Sequence, residues 1–70
     1  MKALRQYFSR VRANKSCLDN ISDYEYEDGG ETLRITLKDG VNESVMSMIE
    51  WANESGLYVH VDEDEVTVKE

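Results

Sequence analysis

The sequence predicts an α+β fold. Residues 1–70 read as a single small domain in the order α-β-β-α-β-β, with a four-stranded antiparallel-rich sheet and one or both helices packed on one face of it. Two kinds of periodicity carry this reading: apolar residues recur at the helical repeat in two segments and at period two in two others. Turn residues supply the third observation. Gly29-Gly30 interrupts the first alternating segment, and Gly56 follows the second helical one.

The first helix is predicted near residues 3–18, in MKALRQYFSRVRANKSCL. Leu4, Tyr7, Phe8, Val11 and Leu18 fall within about 100° of one another on a helical projection, whereas Lys2, Arg5, Arg10 and Arg12 take the flanks and back. Cys17 projects away from the apolar stripe and is expected to be partly exposed. The first hairpin is predicted near 21–38, where Tyr24 and Tyr26 alternate with Asp23, Glu25 and Glu27, and Leu33, Ile35 and Leu37 alternate with Arg34 and Thr36. A Gly-Gly turn pairs Tyr26 with Leu33 and Glu25 with Arg34; an Asp28-Gly29 turn pairs Asp23 with Arg34 instead. Both put the tyrosines and aliphatics on one face.

A second helix near 42–55 carries Val41, Val45, Met48, Ile49 and Ala52 as its apolar stripe, with Asn42 as N-cap, Glu43 in the first turn and Gly56 just past the end. The last hairpin is predicted near 57–69. Leu57, Val59 and Val61 alternate, as do Val66 and Val68, so a turn centred on Glu63-Asp64 pairs Val61 with Val66 and Val59 with Val68. Asp and Glu without glycine can form a type I turn with a longer loop, so the missing glycine does not bar a turn here.

Seventy residues lie near the lower limit for a core that holds without staples. One cysteine excludes an internal disulfide, and one histidine argues against a structural zinc site. No run approaches the roughly 20 apolar residues of a membrane span, and the basic N-terminal segment lacks the apolar stretch of a secretory signal. A free thiol in this setting points to a reducing, cytoplasmic location.

The net charge of −7 conceals an asymmetry. Residues 1–18 hold five bases and no acid, whereas residues 19–70 hold three bases against all 15 acids. The run Asp62-Glu63-Asp64-Glu65 concentrates this charge. A calcium loop spreads its ligands over about 12 residues around a glycine, which this run lacks, so neither a metal nor another cofactor is expected. Paired catalytic carboxylates need a cleft that perturbs one of them, and a hairpin tip offers none. Cys17 lies beside Lys15, with His60 as the sole possible base far along the chain, and Asp28-Gly29-Gly30 lacks the context of a phosphate loop. The expectation is no enzyme and no catalytic residue.

Two roles remain for the acids, solubility alone and electrostatic presentation to a partner. Asp23, Glu25, Glu27 and Asp28 on the first hairpin and Asp62, Glu63, Asp64 and Glu65 on the second form an expected partner-binding set, joined by Trp51 as an interface anchor at the edge of the second helix's buried face. Met46, also off the stripe, extends the apolar patch expected around Trp51. Glu43, Glu50 and Glu54 line the outer surface of that helix. The expected partner is a protein with a basic groove, of the nucleic-acid-binding kind, and neither nucleic acid itself nor a membrane. In composition, a short acidic α/β chain without a catalytic motif, the sequence resembles phage-encoded inhibitors that mimic DNA, including some anti-CRISPR proteins; the resemblance implies a role as inhibitor and assigns no residue.

Two alternatives remain from the sequence. One is a homodimeric structural or regulatory module, antitoxin-like, joined through Trp51, Met46 or a sheet edge. The other is a nucleic-acid or membrane contact through the basic first helix. The reading preferred for that helix is that its apolar side docks on the sheet while its arginines neutralise nearby acids.

Overall fold

The computed structural model describes residues 3–70. They form α1 (Ala3–Ala13), α2 (Lys15–Asp19), β1 (Ile21–Glu27), β2 (Thr32–Leu37), α3 (Glu43–Glu54), β3 (Tyr58–Asp62) and β4 (Glu65–Lys69), with a 3-10 turn at Asp28–Gly30. The strands make an antiparallel sheet in the order β1-β2-β4-β3. The second hairpin therefore docks on the first through its last strand, leaving β1 and β3 as edges.

The helix expected over 3–18 is two helices. Asn14 leaves the helical region (φ −95°, ψ 116°) and its side chain accepts a hydrogen bond from the Cys17 N–H at 3.0 Å, capping α2. Asparagine competes poorly for helix interiors and well for N-caps, which is why the break falls there. The break also resets the helical phase of the residues after it. Cys17, expected to be partly exposed, is buried (1 % exposed), and Leu18, expected in the stripe, is 47 % exposed. Val41 is likewise outside the core at 50 % exposure, because it precedes the Asn42 cap and no helical phase holds it.

α3 begins where Asn42 accepts from the Ser44 N–H at 3.0 Å. It ends in a Schellman closure: the Leu57 N–H donates to the Ala52 carbonyl at 2.9 Å and the Gly56 N–H to that of Asn53 at 3.1 Å, with Gly56 at φ 74°. Leu57 and Ala52, both buried, add the apolar contact that commonly accompanies this motif.

In the first hairpin Tyr26 pairs with Leu33, Tyr24 with Ile35 and Glu25 with Arg34, the register of the Gly-Gly alternative. The connection is longer than that turn: pairing stops at Glu27 and Thr32, so Asp28–Glu31 close the loop, and the Thr32 hydroxyl donates to the Asp28 carboxylate at 3.0 Å. A register shift between Ile21 and Asp23 bulges the start of β1.

The second hairpin pairs Val61 with Val66 and Val59 with Val68, and Asp62 opposite Glu65 leaves only Glu63 and Asp64 in the turn. The turn is centred where the alternation predicts, and Glu63 takes a left-handed φ of 54° to close it. A side chain in that region costs about 1–2 kcal/mol. Glu63→Gly is therefore expected to raise stability by about 0.5–1 kcal/mol, the gain being trimmed by the entropy of glycine in the unfolded chain. Urea denaturation checks it; an unchanged midpoint would show that Glu63 is not strained.

One face of the sheet carries the core. Leu33, Ile35 and Leu37 of β2 and Val66 and Val68 of β4 are buried against Leu4, Tyr7, Phe8 and Val11 of α1 and Val45, Met48 and Ala52 of α3. The Tyr7 hydroxyl crosses between the helices to donate to the Met48 carbonyl at 2.9 Å, and burial pushes its phenol well above the ordinary tyrosine range. Both long helices thus cover the same face. Among the described residues no helix is long and apolar enough to cross a membrane.

Candidate functional site

Side chains alternate along a strand, so the residues between those core positions point to the opposite face. Strand pairing arranges them in three rows. Asp23, Thr36, Glu65 and Asp62 form the row beside the Glu63-Asp64 turn; Glu25, Arg34, Thr67 and His60 form the middle one; Glu27, Thr32, Lys69 and Tyr58 form the third. At about 4.8 Å between strands each row is about 14 Å long.

Charge is uneven across these rows. The Arg34 guanidinium bonds the Glu27 carboxylate, which holds Arg34 above its ordinary value and largely cancels Glu27. Lys69 lies in the same third row. The row of Asp23, Glu65 and Asp62 contains no base, and Glu25 borders it on β1 while Glu63 and Asp64 extend it into the turn. Asp23, Glu25, Arg34, Thr36 and Glu65 line a shallow depression of about 310 Å³ at this end.

Of the residues singled out from the sequence, the structure gathers Asp23, Glu25, Asp62, Glu63, Asp64 and Glu65 at one end of the exposed sheet face. Asp28 sits in the loop at the other end of the strands, bonded to Thr32. Trp51 is on the helical layer, half-buried against the core, with the Arg10 guanidinium 4.4 Å from a ring centre and Arg10 in turn 3.5 Å from Glu54. Met46 is 60 % exposed but lies about 140° around α3 from Trp51, so the two do not form one patch.

The basic helix differs from its expected role. It docks its apolar side, but among the described residues the one arginine of this helix that meets an acid is Arg10; Arg5 and Arg12 lie over aromatic rings. Cys17 is buried on the helical side, its thiol donating to the Ser44 carbonyl at 3.5 Å and pushed up by burial. His60 projects from the far face of the sheet, so the two do not meet. Among the described residues no three His, Cys, Asp or Glu side chains converge on a point where a metal would sit.

Asn20 was not legible as a structural residue from the sequence. It is 2 % exposed, its amide nitrogen donates to the Gly40 carbonyl at 2.9 Å, and its amide oxygen accepts from the Asp39 N–H at 2.7 Å. It ties the start of β1 to the loop leading to α3. An asparagine before a strand signals only a turn, and its long-range partners lie 19 and 20 residues away. Set against known proteins, the chain has no significant match to a family model, a curated protein or a solved structure.

Proposed function

We propose that this chain is a non-enzymatic, cytoplasmic protein-binding module that inhibits or regulates a partner by occupying its basic, nucleic-acid-binding surface. The observation that carries the reading is the acidic end of the exposed sheet face, where Asp23, Glu65 and Asp62 share one row with no base in it. Successive acids on β1 stand about 6.8 Å apart, twice the 3.4 Å axial spacing of phosphates along one nucleic-acid strand. Carboxylates on paired strands keep that spacing without a partner to order them, so little is lost in ordering them on binding. Opposite charge across an interface speeds encounter and rejects wrong partners.

A non-catalytic role is supported by the sequestration of the thiol and by the solvated placing of the acids. Capture of partners from the source cells, with the parent and with Asp23→Asn, Glu25→Gln, Asp62→Asn, Glu65→Gln combined, tests the proposal. The expected result is a partner that the parent retains at low salt, that high salt releases, for which duplex DNA competes with the parent, and that the neutralised variant fails to hold. Equal capture by both proteins, or simultaneous binding of DNA and the parent, would overturn it.

A second reading, a homodimer, is favoured by the β3 edge. β1 is guarded by a bulge and by Asp23, Glu25 and Glu27, as edge strands usually are. β3 offers Tyr58, 73 % exposed, and half-buried Val59 and Val61, with Asp62 its one acid. Two copies paired antiparallel about His60 would set Val59 opposite Val61 and Tyr58 opposite Asp62. Sedimentation equilibrium decides this reading: a dimer that Val61→Lys dissociates supports it, and a monomer at all concentrations refutes it.

A further inference from the structure

The arginines left over from ion pairing define a second surface. A groove of about 480 Å³ runs between α1 and β1, lined by Arg5, Phe8, Ser9, Arg12, Tyr24 and Tyr26. Arg5, Ser9 and Arg12 are spaced i, i+4, i+7 and so share one stripe of α1. The Arg5 guanidinium lies 4.8 Å from the Tyr26 ring centre, and that of Arg12 lies 5.6 Å from Tyr24 and 5.7 Å from Phe8. The three rings hold one another edge to face, with centres 4.8 to 6.4 Å apart. The arginine-bearing wall is thus built on a rigid aromatic base.

In a chain with 15 acids, the described residues place a carboxylate against Arg10, Lys15 and Arg34 but form no ion pair with Arg5 or Arg12. The groove is lined by two guanidiniums and the hydroxyls of Ser9, Tyr24 and Tyr26, and by no carboxylate. A guanidinium held over a ring still has N–H groups to donate, and these match the oxygens of phosphate in pairs. With Cα atoms about 10.5 Å apart along the helix, the two long side chains can close on one phosphate group from either side.

Past Arg12 the groove continues into a recess of about 190 Å³, where Leu18, Ile21 and Tyr24 supply apolar surface and Ser22 and Asp23 the polar rim. Leu18 and Tyr24 are 47 % and 41 % exposed, so solvent reaches both side chains. A flat ring can stack on Tyr24, and the Asp23 carboxylate can accept from an exocyclic amino group. An acyl chain has no use for that carboxylate. A long nucleic acid would meet Glu25 and Glu27 on the other side of the same strand and a chain of net charge −7.

We propose that this groove binds a nucleotide, its phosphate between Arg5 and Arg12 and its base in the recess formed by Leu18, Ile21 and Tyr24. Of the carboxylates on the acidic face the inference shares Asp23 alone, and it would stand if that face bound no partner. Amide shifts of the parent protein titrated with adenosine monophosphate, and separately with inorganic phosphate, test it. The nucleotide should saturate, shift amides within residues 5–12 and 18–26, and bind about tenfold or more tightly than inorganic phosphate. Arg5→Gln with Arg12→Gln should weaken it by about tenfold or more, whereas Arg10→Gln, outside the groove, should not. Shifts scattered over the surface, equal affinity for the two ligands, or an unchanged affinity in a folded double variant would each overturn the proposal. The parent's shift map is decisive even if the double variant does not fold.

Discussion

Phe8→Ala is expected to lower folding stability by about 3–5 kcal/mol, the usual cost of emptying a buried phenylalanine site. A chain of this length has a total stability of about 4–10 kcal/mol, so the variant should lose about a third of it or more and unfold at the lower end of that range. Phe8 is 2 % exposed and is the ring on which both Tyr24 and Tyr26 rest, at 4.8 and 6.1 Å between centres. Its loss also removes a ring that Arg12 covers. Phe8→Leu should cost clearly less, because it keeps most of the volume and forfeits mainly the aromatic contacts, worth about 0.5–1.5 kcal/mol each. Urea denaturation of the two variants separates the cases. Equal losses would mean that the ring contacts, rather than the filled volume, hold β1 to α1.

Asn20→Ala is expected to cost about 2–4 kcal/mol, for a different reason. The side chain satisfies the Asp39 N–H and the Gly40 carbonyl, while the Asn20 backbone carbonyl accepts from the Lys38 N–H at 2.8 Å. Alanine leaves the first two groups without their partners at a part-buried site, so the penalty is that of unmade bonds rather than of lost volume. Amide exchange at Asp39 should accelerate beyond what the global loss of stability explains. Unaltered protection there would show that the loop is held by something other than Asn20.

The sequence made the elements legible because each rests on local periodicity. Alternation across Gly29-Gly30 and across Glu63-Asp64 identified both hairpins and their core faces, and Asn42 and Gly56 marked the ends of α3. The break at Asn14 was hidden because its neighbours continue the helical pattern, and only the cap geometry shows that Cys17 and Leu18 exchange places. Strand order was hidden for another reason. Turn chemistry specifies pairing within a hairpin, but the docking of β4 on β2 depends on how two finished hairpins share a core.

The same division runs through the surfaces. That Asp23, Glu25 and Glu27 share a face follows from their alternation with Tyr24 and Tyr26. That Asp23 lies in line with Glu65 and Asp62, while Asp28 lies at the far end, follows only from the register of β2 with β4. Trp51 has the spacing of an edge residue, yet its position on the helical layer sets it apart from the acids. Arg5 and Arg12 read as helix flank, and the rings beneath them come from a strand some 12 to 21 residues later.

The proposed function requires that the acidic end of the open sheet face steer association with a basic protein surface. Stopped-flow association with the captured partner, across a series of salt concentrations, tests it most directly. The proteins to compare are the parent, the variant with Asp62, Glu63, Asp64 and Glu65 all changed to lysine, and Trp51→Ala on the opposite layer. The lysine variant is expected to associate more slowly at low salt and to lose most of its salt dependence, with its fold intact. Trp51→Ala should lower the melting temperature and leave the association rate unchanged. A lysine variant that associates as fast as the parent at low salt, and with the same salt dependence, would contradict the claim.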